Sequence, residues 1–147
     1  MTIKGFAVFG SVAALGVVMA LSSAGPADAA NDKIRFRCKA ETETVQMQSR
    51  YEERTEKARK EFRAQFEGSG DGLVAGAQLD VVVDDVTVGK ITLVEEVPGQ
   101  VEGQLRFDTR GRSRRAQPFP SGFPVVAEGT LVELKLADAT VIACELN

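Results

Sequence analysis

Between residues 33 and 146, apolar side chains return at every second position in one short run after another, and no feature constrains the fold of this chain more. Residues 33–40 read KIRFRCKA, with Ile34, Phe36, Cys38 and Ala40 on one side and Lys33, Arg35, Arg37 and Lys39 on the other. That is the period of a strand with one face buried. Val45, Met47, Ser49 and Tyr51 alternate with Gln46, Gln48, Arg50 and Glu52, and a polar turn around residues 41–44 separates the two runs. Leu79–Val83 and Val86–Val94 are β-branched runs on either side of Asp84-Asp85, which takes the place of the usual tight-hairpin pair because Asp tolerates positive φ. Pro98-Gly99 marks another turn, and Val101, Gly103, Leu105 and Phe107 alternate with Glu102, Gln104 and Arg106. After a long loop over 108–124 come runs at 131–136 and 140–146.

The segment 54–67 fits two periods. Ala58, Phe62 and Phe66 have helical spacing, whereas Phe62, Ala64 and Phe66 alternate as a strand would, and a third strand from about Lys60 is expected because its neighbours are strands. The whole predicts an all-β domain, a single antiparallel β-sandwich or closed barrel of about 7–8 strands. The order RYEER, EFRAQFEG, LDVVVDDVTVGKITL, GQLRFDT, PFPSGFPVVAEGTLVEL over residues 50–136 resembles a family of exported bacterial β domains of unknown function. The resemblance implies the strand reading of 60–66 and no particular activity.

The start of the chain has a different character. Lys4 precedes an uncharged run from Gly5 to Ala24, then Gly25-Pro26 and Ala27-Asp28-Ala29. A positive start, an apolar stretch and a small-x-small site make a secretory signal, with cleavage expected after Ala29 or Ala30; the competing reading is an uncleaved anchor. Removing residues 1–29 from the 147 leaves 118, the size of one domain spanning 30–147. The expected address is periplasmic or extracellular, with membrane contact only through the signal before cleavage. In such a compartment the two cysteines, Cys38 and Cys144, read as a disulfide, which would bring the first and last strands together.

Absences limit the chemistry. The chain has no His and no Trp, which removes Ser-His, Cys-His and His-zinc arrangements, and its net charge of −3 gives no sign of nucleic-acid binding. Asp71, Asp80, Asp84 and Asp85 gather acidic oxygens but lack the D-x-D-x-D-G loop of a calcium site, so neither metal nor cofactor is expected. Glu95-Glu96 and Asp84-Asp85 are adjacent pairs whose members point to opposite faces of a strand, so acid-base work would need carboxylates from different elements.

The most distinctive polar feature is Arg106, Arg110, Arg112, Arg114 and Arg115, five guanidinium groups within ten positions. They read either as an anion-binding edge or as a solvated, protease-sensitive loop. Phe119, Pro120, Phe123 and Pro124 follow, either a recognition edge or a cap on the open end of the sandwich. The favoured function is an exported, non-catalytic module at the envelope or outside the cell, its partner an anionic surface polymer or an envelope protein. The alternative is a hydrolase that uses only carboxylates on an envelope or extracellular glycan; a purely structural protein is the third reading.

Overall fold

The alternating runs become nine antiparallel strands in the computed structural model, which describes residues 32–111 and 113–147. The expected signal segment and Arg112 lie outside the described residues. The strands are β1 (Lys33–Glu41), β2 (Val45–Arg54), β3 (Arg59–Gly68), β4 (Gln78–Val83), β5 (Val86–Thr92), β6 (Val94–Val97), β7 (Gln100–Asp108), β8 (Leu131–Leu136) and β9 (Ala139–Glu145). They form a five-stranded sheet in the order β1-β2-β3-β7-β6 and a four-stranded sheet in the order β5-β4-β8-β9. Of the two architectures expected, the sandwich is therefore the one adopted, and the sheets do not close into a barrel.

Between the sheets lie Met47, Phe62, Leu79, Ile91, Leu134 and Leu146, all fully buried. The ambiguous segment is a strand because Phe62, Ala64 and Phe66 point into this core together, while Ala58, the residue a helix would add to them, is exposed. Ala58 instead sits at φ 43° and ends a single 3-10 turn, Thr55–Lys57, that reverses the chain between β2 and β3. Asp84 and Asp85 both take positive φ, 43° and 66°, as their hairpin requires, and Asp84 Oδ1 also accepts the Leu131 N–H at 2.9 Å. Ile34 lies on the inward face of β1 but is 44 % exposed, being near the end of an edge strand.

Both long sides of the sandwich are fastened. On one, Cys38 of β1 is bonded to Cys144 of β9 with Cα atoms 5.8 Å apart, and Arg37 and Asn147 exchange backbone hydrogen bonds of 2.9 and 3.0 Å beside it. On the other, the chain itself crosses between sheets. The run expected as one strand over 86–94 is broken at Leu93, which is 1 % exposed. Its N–H donates to Ala77 O at 2.9 Å and its carbonyl accepts Gly76 N–H at 2.8 Å, so both backbone groups of Leu93 are paired at the crossing. Burying that leucine is worth roughly 1.5–3 kcal/mol. The extra strand β6 follows from the crossing, and all four of its residues are exposed.

The loop after β7 has two parts. Its first part extends the five-stranded sheet: Asp108 N–H donates to Gln117 O at 3.0 Å and Gln117 N–H to Arg106 O at 2.8 Å. Its second part seals the open end of the sandwich. Phe119 and Phe123 pack edge to face with centroids 4.9 Å apart, Phe123 lies 5.2 Å from Phe62, and Phe119 lies 5.6 Å from Phe107. Offset and edge-on ring pairs at such distances stabilise beyond the area they bury. These phenylalanines are a cap.

Candidate functional site: an arginine ladder on the five-stranded sheet

Antiparallel register turns the outward residues of β1, β2, β3 and β7 into rows. Arg37 stands opposite Arg50, Arg50 opposite Arg63, and Arg63 opposite Arg106. Four arginines thus occupy directly facing positions on four adjacent strands, and at about 4.8 Å per strand the row is about 14–15 Å long. One row along, Lys39, Gln48, Gln65 and Gln104 face one another in the same way. On the other side of the arginines, Arg35, Glu52, Glu61 and Asp108 form a mainly acidic row. Beyond the glutamines lies a second, Glu41, Gln46, Glu67 and Glu102.

Like charges set directly opposite one another destabilise a sheet. Only part of this repulsion is offset within the protein. Glu61, 7 % exposed, takes Arg50 at 3.1 Å, Arg106 at 3.2 Å and Arg59 at 3.2 Å. Arg63 donates from Nη2 to Gln104 Oε1 at 3.0 Å, a neutral partner. Among the described residues, neither Arg37 nor Arg63 has a carboxylate within 4.0 Å. The buried Nε atoms of Arg63 and Arg106 lack a hydrogen-bond partner among the described residues, while the Nη2 of Arg63 is held by Gln104 and that of Arg106 by Glu61.

The sheet is hollowed along these rows. Arg37, Lys39, Gln48, Arg50, Arg63 and Gln65 line a solvent-open depression of about 500 Å³. A second, of about 590 Å³, shares Gln48, Arg63 and Gln65 and continues past Gln104 to Arg115. Glu67, Glu96 and Glu102 also line the second and Arg106 borders neither, so the trough that the two share is centred on Gln48, Arg63 and Gln65. No aromatic side chain stands in the arginine or glutamine row.

The acidic row has a structural task. Glu52 receives Arg54 at 2.9 Å, Arg35 at 3.0 Å and Lys33 at 3.3 Å. Burial alone would raise its pKa, but these three cations outweigh it and lower it to about 2. Burial acts the same way on Asp108 and is likewise overcome, by the Arg110 backbone N–H at 2.8 Å and by Arg59 at 3.1 Å, which hold its carboxyl below the ordinary range. A general acid at neutral pH needs the opposite shift. Glu95 Oε1 accepts the Gly99 N–H at 2.8 Å on exposed β6, and Asp80 faces Lys90 at 3.0 Å. Among the described residues, no group of three or more acidic or cysteine side chains is arranged to hold a metal ion.

The arginine run singled out in the sequence is not brought together. Arg106 joins the ladder and Arg115 lines the trough, but Arg110 donates to the Lys57 carbonyl at 3.2 Å and Arg114 is exposed on the loop. Arg112 lies outside the described residues. In their place stand Arg37 and Arg50, whose outward direction the alternation had already given, and Arg63, from the segment that fits two periods. Comparison with family models, with curated proteins and with solved structures finds no match. The functional reading therefore rests on this chain's own residues.

Proposed function

We propose that this chain is an exported, non-catalytic β-sandwich module that holds an anionic polymer on the outer face of its five-stranded sheet. The observation that carries the reading is the ladder of Arg37, Arg50, Arg63 and Arg106, a row of like charges that works against the sheet's own stability and is only partly neutralised. Sequences break local rules of this kind where function requires it. Guanidinium forks suit carboxylate, sulfate and phosphate groups alike. Export is supported by the signal pattern at 1–29 and by the Cys38–Cys144 bond, which belongs to an oxidising compartment. The contact surface moves from the loop over 106–115, where the sequence suggested it, to the sheet face that shares Arg106 and Arg115.

The test is retention on an immobilised sulfated polysaccharide at about 50 mM salt, where polyanion contacts are strong. R37Q/R63Q removes the two ladder cations that lack a carboxylate partner and should abolish retention with its circular dichroism unchanged. R110S/R114S should be retained like the parent. A folded R37Q/R63Q variant retained as well as the parent would overturn the assignment.

A further inference from the structure

We infer that the ligand is a linear acidic polysaccharide lying across the strands, its anionic groups over the arginine row and its hydroxyls over the glutamine row. This rests on the reading just given and names the chemistry of the same surface. A single compact anion is best held by converging donors, whereas Arg37, Arg50, Arg63 and Arg106 stand in line at strand spacing. Arg50 and Arg106 both turn to Glu61 Oε1, which leaves Arg37 and Arg63, two strands or about 9–10 Å apart, to meet charges spaced along a linear chain.

The second row decides which chain. Gln48, Gln65 and Gln104 run parallel to the arginines, two positions along each strand, or roughly 7 Å away. A glutamine amide both donates and accepts. Sugar hydroxyls do the same, but the non-bridging oxygens of a polyphosphate only accept. A polymer with carboxylates along one edge and hydroxyls along the other uses both rows. The Arg63 to Gln104 hydrogen bond of 3.0 Å ties the rows together and fixes their relative orientation. Beyond the glutamine row, the carboxylates of Glu67 and Glu102 repel an anionic chain that strays to that side. The arginine and glutamine rows hold no aromatic side chain and so offer no flat platform on which a neutral sugar ring would stack, and charge has to supply much of the recognition.

The experiment titrates the folded domain, beginning at residue 30, with oligogalacturonate and with linear polyphosphate of equal charge, by calorimetry at low salt. The parent should bind the uronate more tightly. Q48A/Q65A, which spares the Gln104 partner of Arg63, should weaken uronate binding by about fivefold or more, the loss of roughly two modest hydrogen bonds, and leave polyphosphate unchanged. R37Q/R63Q should weaken both. Equal or tighter binding of polyphosphate by the parent, or a glutamine double variant that binds uronate normally, would overturn the polysaccharide assignment and leave anion binding standing. Failure of the parent to bind either polymer would remove both readings. Urea unfolding of each variant separates lost contacts from lost fold.

Discussion

Glu61 sits where the needs of the fold and of the proposed ligand oppose each other, so E61Q should move stability and affinity in opposite directions. The carboxylate is nearly buried and receives Arg50, Arg59 and Arg106, whose side chains are 37 %, 28 % and 28 % exposed. Breaking a fully buried pair costs about 3–5 kcal/mol and an exposed one about 0–1 kcal/mol. Since these cations keep access to water, about 1.5–3 kcal/mol is expected. In a domain of this length each kcal/mol is worth about 4 °C, so the midpoint should fall by about 6–12 °C. Binding should improve. An anion bridging Arg50 and Arg106 would stand on the order of 6 Å from the Glu61 carboxylate, a repulsion of roughly 0.7 kcal/mol in water and up to about 3 kcal/mol at lower effective dielectric. The smaller figure already gives about threefold tighter binding. Urea unfolding reads the first effect. Calorimetric titration with oligogalacturonate at low temperature, with circular dichroism to verify the folded state, reads the second. A folded E61Q protein that binds no better than the parent, or worse, would place the ligand away from the ladder and refute the reasoning.

Three further outcomes follow from the packing and charge of the fold. Gly103 lies where β7 meets the crossing chain, and an added Cβ would come within 2.3 Å of Ile91 Cγ2 and 2.9 Å of the Thr92 carbonyl, so G103A should lose about 1–3 kcal/mol in urea unfolding. Removing the Cys38–Cys144 bond with C38S/C144S opens a separation of 106 residues, for which loop entropy predicts a loss of about 4–5 kcal/mol, measurable as a lower urea midpoint against the oxidised parent. Glu52 is lowered from 4.5 to about 2, so its ion pairs contribute fully above about pH 4.5 and are lost as pH falls through about 2; Asp108, lowered in the same direction by the Arg110 N–H and Arg59, adds to the loss on acidification. E52Q should therefore be less stable than the parent at pH 6, and the gap should close as the pH approaches 2. An unchanged gap at low pH would mean that the carboxylate's charge is not what matters there.

Alternation told which way each side chain points, and the fold built from it agrees with the sequence over most strands. It could not show that the chain changes sheets at Leu93, because Val86 to Val94 reads as one unbroken β run and the crossing depends on Gly76 and Ala77 from another segment. Nor could it align the arginines. The cluster visible in the sequence, Arg106 to Arg115, drew attention because its members are close along the chain, yet in a sheet the neighbours in space come from different strands. Part of the ladder was nonetheless within reach. In an antiparallel hairpin, paired positions are mirror images through the turn: Arg37 reflected through the turn between Glu43 and Thr44 falls on Arg50, and Arg50 reflected through Glu56 and Lys57 falls on Arg63. The first turn was legible as polar residues between two alternating runs. The second was hidden in the segment that also fits a helical period, and a one-residue error there would have turned every side chain of β3 to the wrong face. Arg106 had no such route, because β3 and β7 are joined through the other sheet and no local turn fixes their register. A surface assembled from strands distant in sequence is therefore readable only as far as its hairpins are.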